Sequence, residues 1–247
     1  MKMGKDEQAV REAYRRMDLR ARLGYILTYY WWAVLLCVIL TVILGSVIYG
    51  QLTKKQKLLY IACLNVSIGS DLEEQLRQGY LQFACEDTKK TDVLLYGNMY
   101  ISTDPAEADH QMAYASRLKL MATINGKLLD LVLMNREALE ILSAADYLLD
   151  LSALAGEGGI PEELRPYLTE NIVVLEDNAI EYNLNEADVY REVTAAKTNA
   201  LDLSGLSVIR NAGFSDSIYL GIIANTQRLE QCTKYLEYLV SMEERGT

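Results

Sequence analysis

The chain has 247 residues, of which 51% are hydrophobic and 23% charged, room for one full domain with an appendage or for two small domains. Its formal net charge is −10, and it divides unevenly: residues 1–50 carry +3 and the remainder −13. An acidic body of this kind argues against nucleic acid as a partner, because neutralising phosphates needs a basic face.

Residues 1–24 form a basic segment with Lys2, Lys5, Arg11, Arg15, Arg16, Arg20 and Arg22. The 25 residues from Tyr25 to Tyr49 carry no charge and include "AVLLCVILTVILGSVIY". At about 1.5 Å per residue, roughly 37 Å of helix results, more than the hydrocarbon core of a bilayer. Tyr29, Tyr30, Trp31 and Trp32 at one end and Tyr49 at the other suit the headgroup level. Residues 25–50 are therefore predicted to be a single transmembrane helix. A buried core helix would not need aromatic rings at both ends. A cleaved signal would have an apolar run of about 7–15 residues and an Ala-x-Ala-like site after it. Only Lys54, Lys55 and Lys57 follow the span closely, so the excess of basic residues places the N-terminus in the cytoplasm. Residues 51–247 are then extracytoplasmic, and the basic segment suits an anionic inner leaflet. The cytoplasmic segment holds no signalling domain, so output passes through a partner.

In the acidic part, "KLLYIACLNVSIG" (Lys57 to Gly69) is an apolar run of strand length, and "SDLEEQLRQGYLQFA" has the helical spacing Leu72, Leu76, Tyr80, Phe83 with Ser70 as cap. "TDVLLYGNMYIST" predicts a second strand, near 93–101, broken or bulged at Gly97-Asn98. In "DPAEADHQMAYASRLKLMATI" the expected cap is Asp104, with Pro105 at the first helical position and Glu107 completing the capping box. "NGK" ends that helix and turns into "LDLVLM", a buried strand near 129–134 that stops at Asn135 and passes directly into a helix. This alternation of strand and helix predicts a sheet with parallel strands and crossover helices. "AGEGGIPEELRPYL" then loosens the chain with three glycines and two prolines. "NIVVLEDNAIEYNL" reads as a hairpin around Asp177-Asn178, and "NEADVYREVTAAKTNAL" as a short helix or a polar connection. "SDSIYLGIIANTQRLEQCTKYLEYLVS" closes the pattern with a strand, 218–224, and a helix whose apolar face is Leu229, Cys232, Leu236 and Leu239.

Three cysteines, Cys63, Cys85 and Cys232, follow the span, an odd number without metal-type spacing. They read as small buried hydrophobes, with a Cys63–Cys85 disulfide as the alternative.

"ASRLKLMATINGKLLDLVLMNREALEILSAADYLLDLSAL" and "SIYLGIIANTQRLEQCTKYLEYLV" resemble segments of extracytoplasmic solute-binding proteins of the type 2 periplasmic-binding fold. The resemblance implies an α/β fold: a transmembrane helix followed by a periplasmic-binding-protein-like domain. The main lobe covers about 57–155 and 200–241, and 156–199 is a reduced second lobe. It implies that the 218–224 strand returns antiparallel beside 129–134. The family closes two comparable lobes on a ligand about a hinge, whereas 156–199 is too short for a second core.

Enzymatic chemistry is not indicated. His110, the one histidine, lies near Asp104, Glu107 and Asp109, where carboxylates at a helix start favour the dipole. No metal or cofactor is expected. In open α/β sheets ligands lie beyond the carboxyl ends of the strands. Those ends offer Asn65, Ser67, Asn98, Thr103, Asn135 and Arg136 as candidate ligand-binding residues, each of which also suits a cap or turn. The 17 tyrosines against two phenylalanines fit a carbohydrate- or protein-binding surface, or a wet, half-buried one. Two functions follow as expectations. One is a membrane-anchored solute-binding-like module, accessory to a transporter permease or an envelope sensor. The alternative is a non-catalytic envelope interaction protein that keeps the fold without tight solute binding.

Overall fold

In the computed structural model the described residues are 18, 24, 28, 31–53, 55–102, 110–154, 156, 159–178 and 190–246. The chain divides into two compact units, Met1–Lys54 and Lys55–Thr247.

In the first unit, helix α1 (Trp31–Thr53) is 23 residues long, and its apolar side chains, among them Trp32, Leu36, Val42 and Tyr49, are exposed on all sides. A helix without a polar face needs an apolar surrounding. It is long and apolar enough to cross a membrane.

The second unit is mixed α/β. Its strands are β1 (Gln56–Leu64), β2 (Thr91–Met99), β3 (Leu131–Met134), β4 (Leu168–Asp177), β5 (Glu192–Asp202) and β6 (Tyr219–Ile222). They form one six-stranded sheet in the order β2-β1-β3-β6-β5-β4. β2, β1 and β3 are parallel, and β6, β5 and β4 continue the sheet antiparallel. β6 thus returns beside β3, where the 218–224 strand was expected, with Leu133 opposite Leu220.

Strand alternation sends side chains to two cores. Leu59, Ile61, Cys63, Leu131, Leu133, Leu220 and Ile222 face one side; Ala62, Leu64, Val132 and Met134 face the other. The first side is covered by a continuous helical segment, α2 (Ser70–Glu74), a π-helical stretch (Gln75–Gly79) and α3 (Tyr80–Phe83), together with α6 (Ser207–Asn211) and α7 (Leu229–Gly246). The second side is covered by α4 (His110–Asn125) and α5 (Arg136–Ala144). Gly221 of β6 sits where a Cβ would come within 2.9 Å of the side-chain ends of Met134 and Leu148, so a larger residue there would make these side chains shift.

The π-helical stretch explains part of the tyrosine excess. Tyr238 Oη donates to Gln75 O at 2.7 Å and Tyr235 Oη to Leu76 O at 3.3 Å, while Tyr80 Oη donates to Gln231 O at 3.1 Å. Tyr80 and Tyr235 pack edge to face with centroids 4.9 Å apart. Three buried rings with satisfied hydroxyls bolt α7 to the helix after β1, a contact that phenylalanine could not orient.

At the amino ends of the parallel strands, Asp130 is fully buried and accepts hydrogen bonds from Tyr60 N (2.9 Å), Arg228 Nε (2.9 Å) and the Thr226 hydroxyl. On the β1–β2 side, Lys57 Nζ lies 2.6 Å and Arg77 Nη2 3.3 Å from the Asp92 carboxylate. Burial pushes that carboxyl up, but the Lys57 hydrogen bond and the two positive charges outweigh it and hold the group below the ordinary aspartate value.

Several sequence readings need correction. Residues 192–202, read as a short helix or polar connection, are strand β5: pairing with β4 on one side and β6 on the other overrides the helical preference of Ala195-Ala196-Lys197. The hairpin does not turn at Asp177-Asn178. β4 runs to Asp177, and Asn178 is joined to Arg191 by two hydrogen bonds, so the connection spans 179–189, outside the described residues. Of the two readings of β2, the single strand with a bulge holds: it runs from Thr91 to Met99, and Asn98 takes a left-handed φ of 55° beside a register irregularity against β1. Residues 156–199, expected as a reduced lobe, supply β4 and most of β5 to the same sheet. The caps expected at Asp104, Pro105 and Glu107 lie outside the described residues. Cys63, Cys85 and Cys232 are free, which corrects the disulfide alternative: Cys63 is buried beneath the helices, whereas Cys85 is exposed. Burial pushes the Cys63 and Cys232 thiols up to about 12, so both stay protonated at neutral pH.

Candidate functional site

The parallel register sets Leu64 of β1 opposite Met99 of β2 and Met134 of β3, so the residues that follow these strands share one edge of the sheet. Asn65, Asn98 and Asn135 are brought together there. Asn65 has a left-handed φ of 56°, its Nδ2 donates to Ile101 O at 2.7 Å, and its Oδ1 accepts from Ile101 N at 2.8 Å. It is an amide clamp that joins the ends of β1 and β2. Asn135 is the N-cap of α5, its Oδ1 accepting from Ala138 N at 3.0 Å. Arg136 Nε donates to Glu140 Oε1 at 2.7 Å, and its guanidinium lies 5.9 Å from the Tyr219 ring centroid. Asn98 and Ser67 are exposed, and Thr103 lies outside the described residues.

Two cavities flank this edge. On the α7 side, a cleft of about 710 Å³ opens directly after β1, lined by Gly69, Ser70, Asp71, Gln75, Asn211 and Tyr238 among others. Gly79 forms part of its wall because a Cβ there would collide with the Tyr238 hydroxyl. On the other side, a cavity of about 450 Å³ lies between α4 and α5. The described candidate residues, Asn65, Ser67, Asn98, Asn135 and Arg136, are absent from the lining of both cavities. The cleft residues were missed because Gln75, Asn211 and Tyr238 come from three distant helices. The regular spacing of Tyr235 and Tyr238 on an otherwise leucine-rich face was the one available signal.

Chemically, the cleft offers hydroxyls, amides and the single carboxylate of Asp71, groups that can hold a polar ligand by hydrogen bonds. Ser70 Oγ donates to Asp71 Oδ1 at 3.2 Å. Among the described residues no group of three His, Cys, Asp or Glu side chains converges as a metal site would require.

The two edge asparagines serve the fold, and this is measurable. Asn135→Ala should cost about 1 kcal/mol of unfolding free energy, the usual worth of a side-chain cap. Asn65→Ala should cost more, about 2 kcal/mol, because it leaves both backbone groups of Ile101 without these partners and puts alanine, less tolerant of the left-handed region than asparagine, at positive φ. Chemical denaturation of each variant gives the comparison; unchanged stability in both would free these side chains for a ligand.

No protein-family model, no curated protein and no solved structure matches this chain.

Proposed function

We propose that the chain is a membrane-anchored, non-catalytic extracytoplasmic module: a single solute-binding-like lobe that recruits a partner protein of the envelope, such as a transporter permease, in place of trapping a solute. The observation that carries this reading is the open carboxyl edge of the sheet. The asparagines there hold backbone groups of the protein itself, and the neighbouring cleft of about 710 Å³ belongs to one compact unit, Lys55–Thr247. A flytrap gains affinity when a second lobe closes and buries most of the ligand. The chain between Gly156 and Ser217 instead lengthens the sheet with β4 and β5. A solute in an open cleft keeps much of its hydration, whereas a protein partner covers the same rim with a larger surface. The volume of the cleft, within the range of small-molecule sites, favours weak solute capture as the second reading.

The anchor reading rests on α1 and on the excess of basic residues before it. With Cys85 replaced by serine, cysteines introduced at Glu7 and Glu157 should differ toward an impermeant maleimide on intact cells. Position 157 should label and position 7 should not; the reverse pattern would place the unit in the cytoplasm.

Calorimetry of the full chain in lipid nanodiscs against sugars, amino acids and short peptides should give dissociation constants weaker than about 10 μM. A single solute bound at submicromolar affinity would replace partner docking with solute capture.

A further inference from the structure

The side of the sheet covered by α4 and α5 is incompletely filled. α4 buries Leu120 and Ile124 against the sheet, yet Tyr114 and Met121 on its flank remain exposed. Between the two helices lies the cavity of about 450 Å³, within the range of small-molecule sites. Its walls are mostly hydrocarbon, from Ile101, Leu120, Ile141 and Leu142, with the rings of Tyr114 and Tyr147 beside them. One polar lining group, the Ser102 hydroxyl, is engaged, donating to Glu137 Oε1 at 2.7 Å. The single charged lining residue is Arg117. It is exposed and forms no ion pair among the described residues, whereas Arg77, Arg136 and Arg228 all hold carboxylates. Residues 51–247 carry a net charge of −13, and beside this apolar hollow the Arg117 guanidinium has no carboxylate partner among the described residues.

An apolar cavity whose one charged lining residue is a cation, unpaired among the described residues, selects a ligand with an apolar body and one anionic head. We propose that this cavity binds a single-chain amphiphilic carboxylate, its hydrocarbon among Ile101, Leu120, Ile141 and Leu142 and its carboxylate on Arg117. A planar guanidinium matches a carboxylate through two parallel N–H donors. The site lies on the opposite face of the sheet from the cleft at the end of β1 and does not depend on what that cleft does.

The test uses the full chain in nanodiscs with a diazirine-tagged decanoate, and locates the photoproducts by peptide mass spectrometry. Cross-links should fall on residues 113–121 and 141–147. Hexanoate, octanoate and decanoate should compete with affinity rising about threefold per methylene, as expected for hydrocarbon leaving water. Arg117→Gln, a surface change that leaves the core intact, should weaken decanoate about fivefold and leave decanol unchanged. Ala144→Phe, which fills the cavity, should abolish competition at an unchanged melting temperature; if that variant unfolds, the Arg117→Gln comparison still decides. Cross-links confined to α1, or equal competition by decanoate in the native protein and Arg117→Gln, would overturn the proposal.

Discussion

The fully buried carboxylate of Asp130 accepts the Tyr60 amide at 2.9 Å, Arg228 Nε at 2.9 Å and the Thr226 hydroxyl, while its own backbone N–H donates to Tyr60 O and its carbonyl accepts from Ile223 N. One residue thereby joins β1, the entry to β3, the end of β6 and the approach to α7. A buried charge is tolerated only when its lone pairs are met, and removing one partner of such a group typically costs about 3–5 kcal/mol. Arg228 is in turn held by stacking over the Tyr60 ring at 4.5 Å and by donating to Lys127 O. The parallel and antiparallel halves of the sheet meet at β3 and β6, so Asp130 stands at the seam between them.

The Asp130 lock lies at the start of β3 and the middle of β1, away from the edge where these strands end. There the strands end in residues that cap, clamp and turn, and the two cavities open beside them. The arrangement separates a rigid end from a receptive one. The Asp130, Asp92 and Glu140 carboxylates hold arginines or lysines, and the Cys63 and Cys232 thiols are kept protonated by burial. The cleft after β1 and the α4–α5 cavity lie on opposite faces of the sheet.

Much of this fold was legible in the residues. The runs at Leu58–Leu64 and Leu131–Met134 are continuously apolar because parallel strands here are covered on both faces, and Asn135 announced its cap by position. β5 was not legible. Its Ala195-Ala196-Lys197 stretch favours a helix locally, and only its neighbours β4 and β6, far away in sequence, make it a strand. The π-helical stretch and its tyrosine partners were hidden for the same reason, since Tyr238 lies 163 residues from the carbonyl it serves. Of the candidate site, the rim could be read because strand ends follow from periodicity. The cleft could not, because its lining converges only in three dimensions. Asp130 lay inside the run read as a strand, and its partner Arg228, 98 residues later, carried no signal of the pairing.

The claim that Asp130 makes the two halves of the sheet one cooperative body is tested most directly by native-state hydrogen exchange on the full chain, comparing Asp130→Asn with the unaltered protein. The amides of β1, β3, β6 and β5 should lose protection together, by a common factor on the order of a hundredfold, as expected when a shared global opening becomes about 3 kcal/mol easier. Faster exchange confined to Thr226–Leu229, with Leu131–Met134 and Tyr219–Ile222 as well protected as before, would show that the carboxylate pins a local turn and that the seam is held by something else.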